Sequence, residues 1–240
     1  MRKLFLTIAL AGVLAVPSLQ AGMQVSLLQN TSQYSSGSGG EFRAVDVGNP
    51  SLLSAINPNA YSGQTSGTDS LGRFYFQTFC IEYNEHFNPG GTYDASISPN
   101  AMYGNQPTGG DPVSIGTAWL YSQFARGTLA GYNYTYGTGR SATAGALQNV
   151  IWWLENEPVG VVDPGIGNVF RNAVLAQFGS YAAAIADANG AWGVRALNLG
   201  QPGYVQDQLV IVPEPTTVIA GALLLLPFAA STIRRFRRNS

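Results

Sequence analysis

Along residues 73–83, RFYFQTFCIEY, a period of two sets Phe74, Phe76, Thr78, Cys80 and Glu82 on one face and Tyr75, Gln77, Phe79, Ile81 and Tyr83 on the other. Both faces are largely apolar, which predicts a central strand covered on each side and a buried Cys80. Further strands are predicted at Gln24–Leu28, Glu41–Val47, Thr92–Ile97, Val194–Leu199 and Gln206–Val212. Helical patterning lies between them. IGTAWLYSQFARG has Ser114 to cap its start and Gly127 to stop it. SATAGALQNVIWWLENEP has Ser141 as cap and Pro158 as terminator, NVFRNAVLAQFG runs from Asn168 to Gly179, and a short helix follows Ser180. The Ser- and Gly-rich stretches 31–40 and 62–72 read as loops. Strands, then helices, then strands predict an α+β fold, a β-sandwich or barrel portion with a helical insert.

Within the second long helix, Leu147, Val150, Ile151 and Leu154 form the core stripe. Gln148 lies about 100° around the axis from Leu147, at the stripe's edge beside Trp152. Ala142, Ala144, Gly145 and Ala146 keep the first turns thin enough for a strand to pack closely.

The two ends of the chain read differently from this body. Residues 1–22 have a positive start (Arg2, Lys3), a short apolar run and a small-residue exit near Ala21 or Gly22, the layout of a secretory signal peptide. At 212–240, Pro213, Glu214 and Pro215 precede an uncharged stretch from Thr216 to Ile233 and then Arg234, Arg235, Arg237 and Arg238. Those eighteen residues would span about 27 Å as a helix, close to the hydrocarbon thickness of a bilayer. The arginines are expected on the cytoplasmic side. This tail resembles the PEP-CTERM sorting signal of Gram-negative bacteria. The resemblance implies a precursor held in the inner membrane, cleavage by an exosortase-type membrane protease, and a destination at the cell surface or in an exopolysaccharide-containing matrix.

Between the ends, 23–211 is expected to form one extracytoplasmic domain. Up to Val212 the body carries six arginines and no lysine against twelve carboxylates, a net charge of −6. Such a body does not suit nucleic acid or an anionic membrane surface. With one His and one Cys in the chain, neither a metal site nor a cofactor is expected.

Cys80 is the only cysteine of a chain that looks exported, so its use is an intermolecular bridge, a free thiol or another covalent bond. TFCIE (Phe79–Cys80–Ile81) and LQNVIW (Leu147, Gln148, Val150, Ile151, Trp152), with AWLYSQF between them, resemble the motifs of the thioester domains of bacterial surface adhesins. Val150 stands where that family usually has alanine. The resemblance implies a bond between the Cys80 thiol and the Gln148 side chain, shielded by Phe79, Tyr83, Trp152 and Trp153. It implies a non-enzymatic adhesion protein that captures an extracellular amine- or hydroxyl-bearing target.

Other chemistry finds less support. A cysteine hydrolase needs a nearby histidine, and His86 would lie about 20 Å from Cys80 along an extended strand. Glu155 and Glu157, as i and i+2, point apart and are expected to be solvated at a helix end. A passive matrix domain, using Tyr132, Tyr134 and Tyr136 to stack on exopolysaccharide, is the alternative.

Overall fold

The computed structural model describes residues 23–29, 34–36, 39–48, 64–102, 110–157, 162–200 and 205–212. The signal peptide expected at 1–22, the Pro213–Glu214–Pro215 motif, the membrane segment behind it and the four terminal arginines lie outside them. Among the described residues no helix is long and apolar enough to cross a membrane.

The described chain is a mixed α+β fold built on one large antiparallel sheet. In chain order the strands are β1 (Gln24–Gln29), β2 (Ser35–Ser36), β3 (Gly39–Gly40), β4 (Phe42–Asp46), β5 (Ser66–Thr68), β6 (Phe74–Thr78), β7 (Thr92–Ser98), β8 (Asn100–Ala101) and β9 (Asp111–Pro112). The helices follow: α1 (Ile115–Ala125), α2 (Thr138–Leu154), α3 (Val169–Phe178) and α4 (Tyr181–Ala184). A 3-10 turn (Ala191–Gly193), β10 (Val194–Leu199) and β11 (Gln208–Ile211) complete the chain. Seven strands pair in the order β11-β10-β7-β1-β4-β6-β5, while β2–β3 and β8–β9 are separate two-stranded pairs.

Residues just beyond β6 draw the sheet's two ends together. Ile81 N–H donates to the Asp207 carbonyl at 3.1 Å and Leu209 N–H to the Phe79 carbonyl at 3.1 Å. Cys80 thereby faces Gln208 across an isolated antiparallel bridge. Strand alternation then fills two cores. Val25, Leu27, Phe42, Phe76, Cys80, Leu197 and Val210 pack on one face of the sheet. Phe79, Ile81, Ala196, Leu209 and Ile211 point the other way, against Leu120, Phe124, Leu147, Ile151 and Phe170 of the helices.

Helix ends follow local chemistry. The Ser114 side chain accepts from Thr117 N–H, and Asn168 accepts from Phe170 and Arg171 N–H, so both cap helix starts. Gly179 ends α3 at φ 79°, a left-handed conformation that favours glycine. Two expectations are corrected. Helix α2 begins at Thr138 with Gly137 as its cap residue, three residues before Ser141. Ser141 instead donates its hydroxyl to the Ser35 carbonyl, a tertiary bond invisible in the local pattern. The stretches 31–40 and 62–72 are also more than loops, because β2 and β3 pair within the first and lie against α2, and β5 within the second pairs with β6.

Candidate functional site

Strand β6 pairs with β4 only as far as Thr78, opposite Phe42. Continuing that register would set Cys80 against Gly40. The chain instead crosses to β11, where Cys80 and Gln208 form the kind of antiparallel pair that exchanges no main-chain bonds. The N–H and C=O of Cys80 therefore face away from β11 and toward α2. A buried peptide group left without partners costs free energy, and here a side chain supplies them.

That side chain is Gln148. Cys80 N–H donates to Gln148 Oε1 at 3.1 Å, and Gln148 Nε2 donates to the Cys80 carbonyl at 2.9 Å. A primary amide presents one acceptor and one donor side by side, so it takes the place of the missing strand. Because the two bonds run in opposite senses, they also determine which way round the amide lies. Gln148 and Cys80 are both fully buried.

Gln148 is wedged in from the far side by the β2–β3 hairpin. A Cβ on Gly39 would lie 2.7 Å from Gln148 Cγ and 2.5 Å from Trp152 Cη2, so no larger residue fits unless these side chains move. Buried charge holds the hairpin in place. Arg140 of α2 donates from Nε to Glu41 Oε2 at 2.9 Å and from Nη2 to Glu41 Oε1 at 2.5 Å, and Tyr132 Oη donates to Glu41 Oε2 at 2.5 Å. The Arg140 guanidinium also lies 4.2 Å over the Tyr34 ring, at the hairpin's start. Burial pushes the Glu41 carboxyl up, and the bonds from Arg140 and Tyr132 pull it back.

The thiol sits in an apolar setting with two polar neighbours. Gln208 Nε2 donates to Cys80 Sγ at 3.6 Å and to the Gln206 carbonyl at 3.2 Å. Burial raises the thiol well above its ordinary value; the Gln208 hydrogen bond opposes this and the Glu82 carboxylate adds to it. Glu82 is itself buried and held up by that burial and by its neighbour Asp207. Asp207 N–H donates to Glu82 Oε2 at 3.0 Å, and burial pushes the Asp207 carboxyl up to about 7.

On the α2 side a groove reaches Gln148 but not Cys80. This groove of about 690 Å³ is lined by Gly39, Tyr83, Gln148, Asn149, Trp152 and Asn168 among others, and among the described residues no lining residue is charged. The Tyr83 and Trp152 rings meet edge to face at 4.9 Å, and Trp152 Nε1 donates to the Glu82 carbonyl at 3.2 Å. These two residues also line a smaller cavity of about 260 Å³ with Glu85, His86 and Gln206.

The four aromatic residues expected around the bond separate into two groups. Tyr83 and Trp152 line the groove at Gln148. Phe79 points into the helix-side core, edge-on to Phe124 at 4.9 Å. Trp153 stacks on Tyr181 at 4.5 Å and belongs to that same helix-side core. Strand alternation explains the first, since Phe79 and Cys80 must face opposite ways. Helix geometry explains the second, since Trp153 follows Trp152 by about 100°.

Two other expectations change, and one residue was missed. Glu155 and Glu157 are buried, not solvated. Glu155 accepts the Ser114 hydroxyl at 2.8 Å, and burial raises its carboxyl to about 8. Of the three tyrosines considered for sugar stacking, Tyr132 is buried on Glu41 and Tyr134 donates to the Phe124 carbonyl at 3.0 Å, leaving Tyr136 exposed. Gln208, the residue at the sulphur, carried no functional expectation. Its only sequence signal was the pair of amides, Gln206 and Gln208, on a strand face completed by Val210 and Val212. No family model, curated protein or solved structure matches the chain.

Proposed function

We propose that this chain is an exported, surface-sorted adhesion or matrix protein whose Cys80 and Gln148 side chains join in an internal thioester, held in reserve for covalent capture of an extracellular nucleophile. The observation that carries this reading is the reciprocal hydrogen bonding of the Gln148 amide to the main chain of Cys80. It brings the amide carbon to the one residue in the chain that bears a thiol.

The chemistry conserves atoms without an added reagent. Sγ of Cys80 bonds to Cδ of Gln148, the Cδ–Nε2 bond breaks, and the thiol proton leaves on that nitrogen as ammonia. Cys80 N–H, already directed at Oε1, would stabilise the negative charge that develops there, in the manner of an oxyanion-hole donor. Exclusion of water under Trp152 and Tyr83 would preserve the acyl donor until a target enters the groove. An amine or hydroxyl on that target then takes the acyl group and returns the thiol. The event happens once per chain, so the protein is a reactant and not an enzyme.

The export and sorting parts of the reading rest on the sequence of the two ends: the signal peptide, the Pro213–Glu214–Pro215 motif and the basic tail read by an exosortase-type protease. A body of net charge −6 without lysine offers no side-chain amine to its own copies.

A second reading is favoured by the same hydrogen bonds. Gln148 would be only a strand substitute, its amide bonded to the main chain of Cys80, in a non-covalent exopolysaccharide-associated matrix domain. Intact mass decides between the two. The thioester reading expects the folded, processed chain to weigh one ammonia less than its sequence, and methylamine to add at Gln148 with release of the Cys80 thiol. A chain of unmodified mass with an unmodified Gln148 is the outcome that overturns it.

A further inference from the structure

Gln208 is fully buried, reaches Cys80 across the bridge that draws the ends of the sheet together, and has no part in the chemistry above. The orientation of its amide is determined by the Gln206 carbonyl, which accepts from Nε2 at 3.2 Å. That same Nε2 is the group that donates to Cys80 Sγ at 3.6 Å. Its Oε1 is buried and has no hydrogen-bond partner among the described residues. A buried amide that spends its donor on a sulphur and leaves its acceptor unpaired is costly as architecture alone.

We propose that Gln208 is a positioning residue for the thioester: its amide fixes the direction of the Cys80 sulphur and stabilises that sulphur as the leaving thiolate whenever the bond opens. The proposal rests on the Cys80–Gln148 reading. Three observations support it. In an antiparallel pair that exchanges no main-chain bonds, opposed side chains lie close together, and Cys80 and Gln208 are such a pair. Gln148 holds Cys80 only through its main chain, so the direction of Sγ needs a separate constraint. Gln208 Nε2 already donates to Sγ at 3.6 Å in an otherwise apolar setting, so this N–H is the group placed to meet negative charge on the sulphur.

When an amine opens the thioester, its nitrogen bonds to Cδ of Gln148 and the Cδ–Sγ bond breaks with its electron pair going to sulphur. The amine proton follows to the sulphur. The Gln208 N–H meets the electron pair, because a hydrogen bond to a charged form favours that form.

The test uses the full processed chain as wild type, Gln208→Leu and Gln208→Glu, with methylamine as the probe. Intact mass reports ammonia loss, the rate of methylamine incorporation reports opening, and circular dichroism melting reports the fold. The expected result is ammonia loss in the wild type and opening at least roughly tenfold slower in Gln208→Leu, the effect of one lost hydrogen bond to a charged group. Gln208→Glu, whose buried carboxyl should stay protonated like those of Glu82 and Asp207 and can donate through its O–H, should open closer to the wild-type rate than Gln208→Leu. If Gln208→Leu does not fold, Gln208→Met, of similar length and also lacking a donor, takes its place with the same expectation. A lowered melting temperature with an unchanged opening rate would mean a purely structural role and overturn the proposal while leaving the thioester intact. A wild-type chain of unmodified mass overturns the thioester reading and the role of Gln208 together.

Discussion

Two of the long-range polar contacts made by helix α2 differ in kind. At its first turn Arg140 meets Glu41 through a bidentate ion pair, with Tyr132 as a further donor. Eight residues on, about 12 Å along the axis, Gln148 meets the main chain of Cys80 through two neutral hydrogen bonds. The first contact is inert and costly to break, because either partner alone would be a buried charge. The second is cheaper to break and involves a carbon that a thiol can attack. In one helix, then, charge secures the hairpin that covers the site, while a neutral amide occupies the site. Glu155, just after the last turn, makes the same point. A cation at a helix N-terminus opposes the helix dipole and a carboxyl at the C-terminal end is kept protonated by burial, so Arg140 and Glu155 sit where they do for tertiary partners, Glu41 and Ser114.

Breaking the charged contact should have the largest effect. Glu41→Ala leaves Arg140 buried without its partner and should cost about 3–5 kcal/mol in chemical denaturation. Release of the hairpin should also expose Gln148, so ammonia loss in the surviving folded chains is expected to fall, as read by intact mass.

Breaking the neutral contact should cost less. Gln148→Ala orphans the N–H and C=O of Cys80, a loss of about 3 kcal/mol in all by the same measurement. Its mass should match its sequence, and its Cys80 thiol should be free.

The hairpin's fit can be tested without touching either contact. Gly39→Ala places a carbon against Trp152 and Gln148 and should cost about 1–2 kcal/mol through overpacking. By lifting the cover it should speed methylamine incorporation relative to wild type. Slower incorporation would mean that the hairpin does not guard the site.

A pH dependence is also expected from the C-terminal end of α2. Burial raises Glu155 from an ordinary 4.5 to about 8 and Glu157 to about 7. The folded chain therefore holds protons that the unfolded chain has released between about pH 4.5 and 8. Its contribution to stability is complete below 4.5 and is lost as pH rises through that window. Melting temperature should fall across the window, and Glu155→Gln, which keeps an acceptor for Ser114, should flatten the fall.

Much of the frame was legible in the sequence because its signals are local. Ser114, Asn168 and Gly179 cap and stop their helices through bonds within one turn. The period of two around Cys80 correctly set Phe76 and Cys80 on one face and Phe79 and Ile81 on the other. The Leu147–Val150–Ile151–Leu154 stripe forms part of the helix-side core. What was not legible depends on residues far apart in the chain. Glu155 and Glu157 read as solvated because nothing nearby in sequence announces Ser114 or the cover above them. Residues 31–40 read as loop because a two-residue strand has no periodicity. Phe79 and Trp153 were grouped with the site by proximity in sequence, which ignores the directions in which neighbouring side chains point.

For the site itself, sequence alone determined the ingredients: one thiol on a strand and one glutamine at the edge of a helix stripe, in a chain with a single cysteine. Tertiary structure decided their relation. The departure of residues 79–81 from β4 to β11 leaves the main chain of Cys80 unpaired on one side, and only packing of α2 under a glycine hairpin could bring the Gln148 amide there. It also decided that Gln208 would face the sulphur. Strand pairing between residues 128 positions apart leaves no local trace, because its partners are chosen by the closing of the sheet and not by their neighbours in the chain.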